Sequence, residues 1–475
     1  MSVRRFMLAL LSFLAIMVAS PGLAGSANTS EAYCGANGTR VPAAWDVTDG
    51  TGTDDTMQLD RADGIDAFRW LAHGVFQHRA RDQLDNGYVI SLEKLPSNVR
   101  LSGPQHHRPI LRSHAELPRD VPVRVAAKRD RWLTRMFDDP KLQVVTHITR
   151  YAHGRACGLM NPYHTSDNPM QLCEPGGSVP DKTTFKAGID GLFHTFLPDL
   201  TARLRGGDYT HIVFAAMGWN NDQRVSICRY RRIMDQTARA MPEGSFRPLV
   251  IGMTWSSSWW PASSSPFVQR LGHVGSVLNK ATDSDEAGVL HGNVILNRLI
   301  PHANRAGLPV VVLGHSFGTR LAGRALFSRD LLRLGPEGPP ADLAVFLQPA
   351  HSVFRYGRDA GGARGNEGHP FDGFRDMPET RVVVTTSPDD AANPLAVWSP
   401  YMGSEQGWHV AGRRVFHDLI NREPATDVPT TAEMASWPAG KATLVRAGFV
   451  GGHSDILDPE MGRFLARLIT VYASR

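Results

Sequence analysis

The chain has 475 residues, 42% hydrophobic and 20% charged, with a formal net charge of +5. That content supports a sizeable core and excludes wholesale disorder. The positive excess is spread thinly, with no basic block beyond "RYRR" at Arg229 to Arg232, so nucleic acid is not an expected partner.

At the N-terminus, Arg4 and Arg5 precede an apolar run from Phe6 to Val18. Gly22 and Ala24 follow at the spacing a signal peptidase reads. The run is short for a membrane span. Residues 1–24 therefore read as a signal peptide, and the product as exported, periplasmic or extracellular. Four cysteines are then expected to pair, in one of three ways. Cys157 and Cys173 flank the polar stretch "GLMNPYHTSDNPMQL", which suits a local bridge; Cys34 with Cys228 follows by exclusion only. Four buried thiols are the alternative. The C-x-x-C spacing of a zinc site is absent.

Residues 25–140 read as an N-terminal extension, rich in Arg, Asp, Pro and Gly. One helix is visible there, "GIDAFRWLAHGVFQHRARDQL", with Phe68, Leu71, Val75 and Phe76 on a shared face. "DVTDGTGTDDT" lacks the order of a calcium loop and reads as a solvated turn. The adjacent histidines of "PQHHRP" read as surface.

From Lys141 to the end, residues 141–475, the rhythm changes. "LQVVTHITRY", "YTHIVFAAMGW", "RPLVIGMTW", "LPVVVLGHS", "ADLAVFLQPA" and "TRVVVTTSPDD" read as strands. "GIDGLFHTFLPDLTARLRGG", "QRVSICRYRRIMDQTARAM", "NVILNRLIPHANRAG" and the terminal "DPEMGRFLARLITVYASR" read as helices. The first and third carry internal prolines that kink or break them. Asp458 is the expected N-cap of the last, with Pro459 its first residue. Short continuous apolar strands alternating with helices indicate an α/β class, a mostly parallel sheet with helices on both faces. The stretches 354–379 and 395–440 are long insertions, and sites in such domains lie at the carboxyl ends of strands.

"GHSFG", Gly314 to Gly318, fits G-x-S-x-G between an expected strand and an expected helix. Glycines at either side permit the sharp turn that lifts Ser316 above the sheet. The plain structural alternative is a serine N-cap between two packing glycines. A serine nucleophile needs a base, and the base an orienting carboxylate. In this topology they follow in the order Ser, Asp or Glu, His. "VVVTTSPDDAAN" offers Asp389 and Asp390 at a strand end, and "AGFVGGHSDILDP" offers His453 before the last helix. A polar turn and a surface histidine are the alternatives. Oxyanion donors are expected from the main chain of Phe317, after the nucleophile, and of Trp219, in "HIVFAAMGWNND". Trp255, Trp259 and Trp260 of "MTWSSSWWPASSSP" are candidates for an acyl pocket or for contact with a lipid surface; core packing and loop anchoring are the alternatives.

Together "GWNND", "GHSFG", "LQPA", "TSPDDAAN" and "GGHSDI" resemble the α/β-hydrolase superfamily of serine esterases and lipases, over residues 140 to 475. Within it the chain is similar to a loosely characterised bacterial group with a Gly-Trp-x-Asn oxyanion loop. The resemblance implies the α/β-hydrolase fold and favours Asp390 over Asp389 as the acid, because Ala391 and Ala392 follow it. Met217 departs from the pattern: the family usually has a histidine there, which supports the oxyanion loop.

The expectation is an exported serine hydrolase of carboxylic esters working through an acyl-enzyme, with Ser316 as nucleophile, His453 as base and Asp390 as orienting acid. A transacylase, a serine peptidase and a non-catalytic binding protein on the same fold are the alternatives. No metal or organic cofactor is implied. The expected partner is a small-molecule or lipid ester; the oligomeric state stays open.

Overall fold

The continuous apolar runs between His211 and Thr386, with more mixed segments on either side, become the strands of one ten-stranded sheet. The structure, a computed structural model, describes residues 34, 84–94, 143–153, 155–160, 172–173, 185–219, 221, 223–255, 257, 280–332, 335–339, 341–356, 370–371, 373, 376–390, 402–405, 407–409, 419–425 and 427–474. The signal segment 1–24, the helix expected from Gly64 (apart from Leu84), the acidic turn and the "PQHHRP" loop lie outside the described residues.

The strands are β1 (Asn86–Lys94), β2 (Gln143–Ala152), β3 (Arg155–Met160), β4 (His211–Ala216), β5 (Pro248–Thr254), β6 (Val310–His315), β7 (Leu343–Leu347), β8 (Arg381–Thr386), β9 (Leu419–Ala425) and β10 (Ala442–Ala447). Their order is β3-β2-β1-β5-β4-β6-β7-β8-β10-β9. β2 is antiparallel to both its neighbours, and every other adjacent pair is parallel. The expected α/β class with a mostly parallel sheet is what the chain adopts.

The boundary at residue 140 needs correction. β1 lies inside the segment read as an extension, yet it pairs with β2 on one side and β5 on the other. Its sequence "NGYVISLEK" mixes polar and apolar residues, so it lacks the unbroken apolar run of its neighbours. Cys34 also belongs to the main body, through a disulfide to Cys228; the second bridge joins Cys157 to Cys173.

Alternate residues of each strand face opposite layers. In β4, Ile212, Phe214 and Ala216 join one core, while Val213, Ala215 and the following Met217 join the other. The first core is covered by α1 (Phe185–Gly191), α2 (Leu197–Gly206), α4 (residues 280–303) and α5 (Gly318–Phe327). The second is covered by α3 (Gln223–Arg239), α6 (Thr431–Ala435) and α7 (Pro459–Tyr472). Neither internal proline ends its helix. Each follows a π-helical turn, Leu192–Phe196 before Pro198 and Ile295–Leu299 before Pro301. The wider turn relieves the clash and the missing N–H that proline imposes on the preceding carbonyls. Asp458 stands at the N-cap of α7 with Pro459 next, but its side chain makes no capping bond.

One ion cluster joins α4 to α5. Arg320 on α5 donates to Asp285 Oδ2 at 2.7 Å, and Arg355 grips both oxygens at 2.8 and 2.7 Å. All three side chains are buried. Burial opposes the charge on Asp285, yet Arg320 and Arg355 hold its carboxyl well below the usual carboxylate range. A depressed carboxyl contributes stability that is present above its unfolded value and lost as pH falls through the folded one. Asp285→Asn leaves two buried guanidiniums facing a neutral amide. The expected cost is about 3–5 kcal/mol, read as a lower urea midpoint at unchanged slope. A loss below about 1 kcal/mol, the range of an exposed pair, would show that the cluster is solvated.

Candidate active site

The chain leaves β4 for β5 on one side and β6 follows on the other, so the strand order reverses between β4 and β6. Ligand sites in open parallel sheets lie at the carboxyl ends of strands beside such a reversal. Ser316 follows β6, and Gly218 and Trp219 follow β4.

Ser316 has φ +55°, rare for a residue with a side chain. Its main chain is held from several directions. Its N–H donates to Leu347 O at 3.1 Å, and its carbonyl accepts from Thr319 N, Thr319 Oγ1 and Ala350 N at 3.1, 2.6 and 3.2 Å. The flanking glycines are required by close approach. A Cβ at Gly314 would lie 2.7 Å from Thr319 Cα, and one at Gly318 would lie 2.1 Å from Ala216 O. The motif is thus a strained elbow in which the serine is presented and the glycines let strand and helix meet.

Phe317, buried, stands at the N-cap of α5, where main-chain N–H groups lack helical partners. Gly218 lies directly against the serine: a Cβ there would be 2.5 Å from Ser316 Cβ and 2.8 Å from Ser316 Oγ. The loop carrying Gly218 and half-buried Trp219 is fixed from below. Trp255 Nε1 donates to Met217 O at 2.8 Å, and Met217 N–H donates to Tyr230 Oη at 3.2 Å. Tyr230 in turn donates to Met253 O at 2.6 Å, and burial pushes its phenol pKa far up, so it stays protonated. Asn221 Nδ2 donates to Gly218 O and Trp219 O, both at 3.1 Å. Met217 itself is a core side chain, and support of the loop passes to Tyr230, Trp255 and Asn221.

Asp390 and His453 meet. His453 Nδ1 lies 2.8 Å from Asp390 Oδ2. The acid follows β8 and the histidine follows β10, the neighbouring strand. Asp390 is buried, whereas Asp389 is exposed. The two turns are tied by Ser387 Oγ, which donates to Val450 O at 2.7 Å. His453 is also joined to the elbow, since its carbonyl lies 2.7 Å from His315 Nε2. Asp390 and His453 thus meet from neighbouring strand ends, and the main chain of His453 is tied to the residue before Ser316.

Trp255 is 1% exposed and packs in the core. Trp259 and Trp260 lie outside the described residues. Trp408, on the later insertion, packs against the core with Arg446 5.6 Å from its ring centre. Sequence reasoning missed Tyr230 and His315, whereas Asn221 is the asparagine of the Gly-Trp-x-Asn pattern. Only His315 carried a visible signal, as the residue inside the motif before the serine. Among the described residues no group of His, Cys, Asp or Glu is placed to hold a metal ion. Set against known proteins, the chain matches no family model and no curated protein.

Proposed function

We propose that the protein is a serine hydrolase of the α/β-hydrolase type that cleaves carboxylic esters. The observation that carries this reading is the 2.8 Å Asp390–His453 pair joined to the elbow of a strained Ser316. Ser316 Oγ attacks the ester carbonyl while His453 Nε2 takes its proton. The main-chain N–H groups of Phe317 and Trp219 receive the oxyanion. Collapse breaks the ester C–O bond, and His453 returns its proton to the departing alcohol. Water, activated by the same histidine, attacks the acyl-enzyme and releases the acid. An acceptor alcohol in place of water makes the reaction a transacylation. Half-buried Trp219 beside the serine suits a neutral apolar or aryl acyl group rather than a charged one.

Two disulfides fit an exported protein, and no described helix is long and apolar enough to cross a membrane. The test is labelling with a fluorophosphonate, which requires an activated serine, followed by peptide mapping and a panel of neutral esters and peptides. Labelling at Ser316 with ester turnover ahead of peptide turnover is expected. No labelling would favour a binding protein, and faster peptide cleavage a peptidase.

Gly218→Ala gives a sharper result. Its methyl group would displace the serine or the oxyanion loop by a sizeable fraction of an ångström. Misplacement on that scale costs on the order of 10² in rate. Steady-state kcat/KM, compared at matched thermal stability, checks it; an unchanged value would detach this loop from the reaction.

A further inference from the structure

Resting on the hydrolase reading, we infer that His315 is a positioning residue that fixes the base-bearing loop to the nucleophile elbow through its Nε2–H bond to the His453 carbonyl. His315 ends β6 immediately before Ser316. Its ring is 1% exposed and stands 5.0 Å, centre to centre, from the ring of His453. The bond is 2.7 Å long and spans 138 residues of chain.

The chemistry of the ring fits a fixed donor. A carbonyl can only accept, so Nε2 carries the hydrogen. Nδ1 is buried and has no hydrogen-bond partner, as the bare nitrogen of a neutral imidazole. Burial, then the nearby His453 and Arg229, push the His315 pKa well below its ordinary value, so the ring remains neutral while His453 gains and loses its proton. A donor that stays neutral can hold the loop through a catalytic cycle without competing for the proton.

The loop needs such a tie. Gly451 and Gly452 precede His453 and bring no side chains to anchor it. The Asp390 bond fixes the imidazole about one nitrogen and the Ser387 bond holds the turn at Val450, but neither fixes the main chain at His453 itself, which can still pivot. A second attachment, at the carbonyl of the same residue, removes that freedom. Because the donor sits next to Ser316, the distance from nucleophile to base is set by a short rigid path rather than by the length of the loop. Catalytic geometry is sensitive to displacements of an ångström.

Three variants test this. The amide nitrogen of His315→Gln reaches close to the position of imidazole Nε2, that of His315→Asn stops near Nδ1, and His315→Leu offers no donor. Thermal melts establish folding, and kcat, KM and the rate of fluorophosphonate labelling are measured for each against the unsubstituted protein. His315→Gln should keep kcat within about fivefold, while Asn and Leu lose on the order of 10² in kcat and labelling rate with KM little changed. If Leu does not fold, the Gln-to-Asn ratio decides alone. Equal kcat for Gln and Asn overturns the inference while leaving the hydrolase reading intact. So does failure of all three to fold, because the bond would then serve the fold. Absence of labelling at Ser316 in the unsubstituted protein removes the hydrolase reading and this inference with it.

Discussion

Ser316→Ala is expected to abolish fluorophosphonate labelling and to lower ester turnover by a factor on the order of 10⁶, the scale seen when a serine nucleophile is removed. The fold should survive. The bonds that hold residue 316 run through its main chain, to Leu347, Thr319 and Ala350, and alanine keeps all of them. Alanine also keeps the Cβ that lies against Gly218. The positive φ is as demanding for alanine as for serine, so that strain does not change. Thermal unfolding of the variant should therefore stay within about 0.5 kcal/mol of the parent, as for substitutions that remove no packing. Full labelling of a folded Ser316→Ala protein would move the nucleophile elsewhere.

Much of this architecture was legible because its signals are local. The parallel strands from β4 to β8 are short apolar runs set between helical patterns, and a buried strand needs little else. The elbow was legible because Gly314 and Gly318 answer a steric demand at close approach, which only one residue type satisfies. The partner of His453 was a choice between two adjacent aspartates. The chain alone distinguished them only by resemblance; the turn after β8 buries Asp390 and leaves Asp389 in solvent.

Other features were hidden because their causes lie far away in sequence. β1 mixes polar and apolar residues, and its place in the sheet depends on β5, more than 150 residues later. The resemblance points to residue 217 itself as the support of the loop after β4. The physical answer is that its main chain is held by a tyrosine from α3 and a tryptophan after β5. No pattern along the chain announces such bonds. Nor could the effect of Pro198 and Pro301 be read, since a π turn is chosen by packing and not by propensity.

Asp390→Asn should separate orientation from mere proximity. The side chain keeps its shape and its buried place, but its nitrogen can present a donor to His453 Nδ1. Nδ1 must then accept, which puts the imidazole hydrogen on Nε2. That nitrogen is the one that has to take the proton from Ser316, and in this tautomer it cannot. The lost carboxylate also no longer stabilises the imidazolium formed on proton transfer. Together these effects lower kcat by about 10⁴ where an orienting aspartate is replaced in this way. Asp389→Asn changes an exposed side chain whose residue is tied through its main-chain N–H to Ser387 Oγ at 3.1 Å. Its effect on kcat should be small, within about threefold, as for a surface substitution. The comparison is made on folded proteins with the same ester at saturating concentration, with labelling rate as a second readout. A large loss at Asp389 with little at Asp390 would transfer the acid to the exposed neighbour and would require the turn after β8 to rearrange before catalysis. Equal and small losses would mean that His453 works without an orienting carboxylate, and the 2.8 Å pair would then be structural.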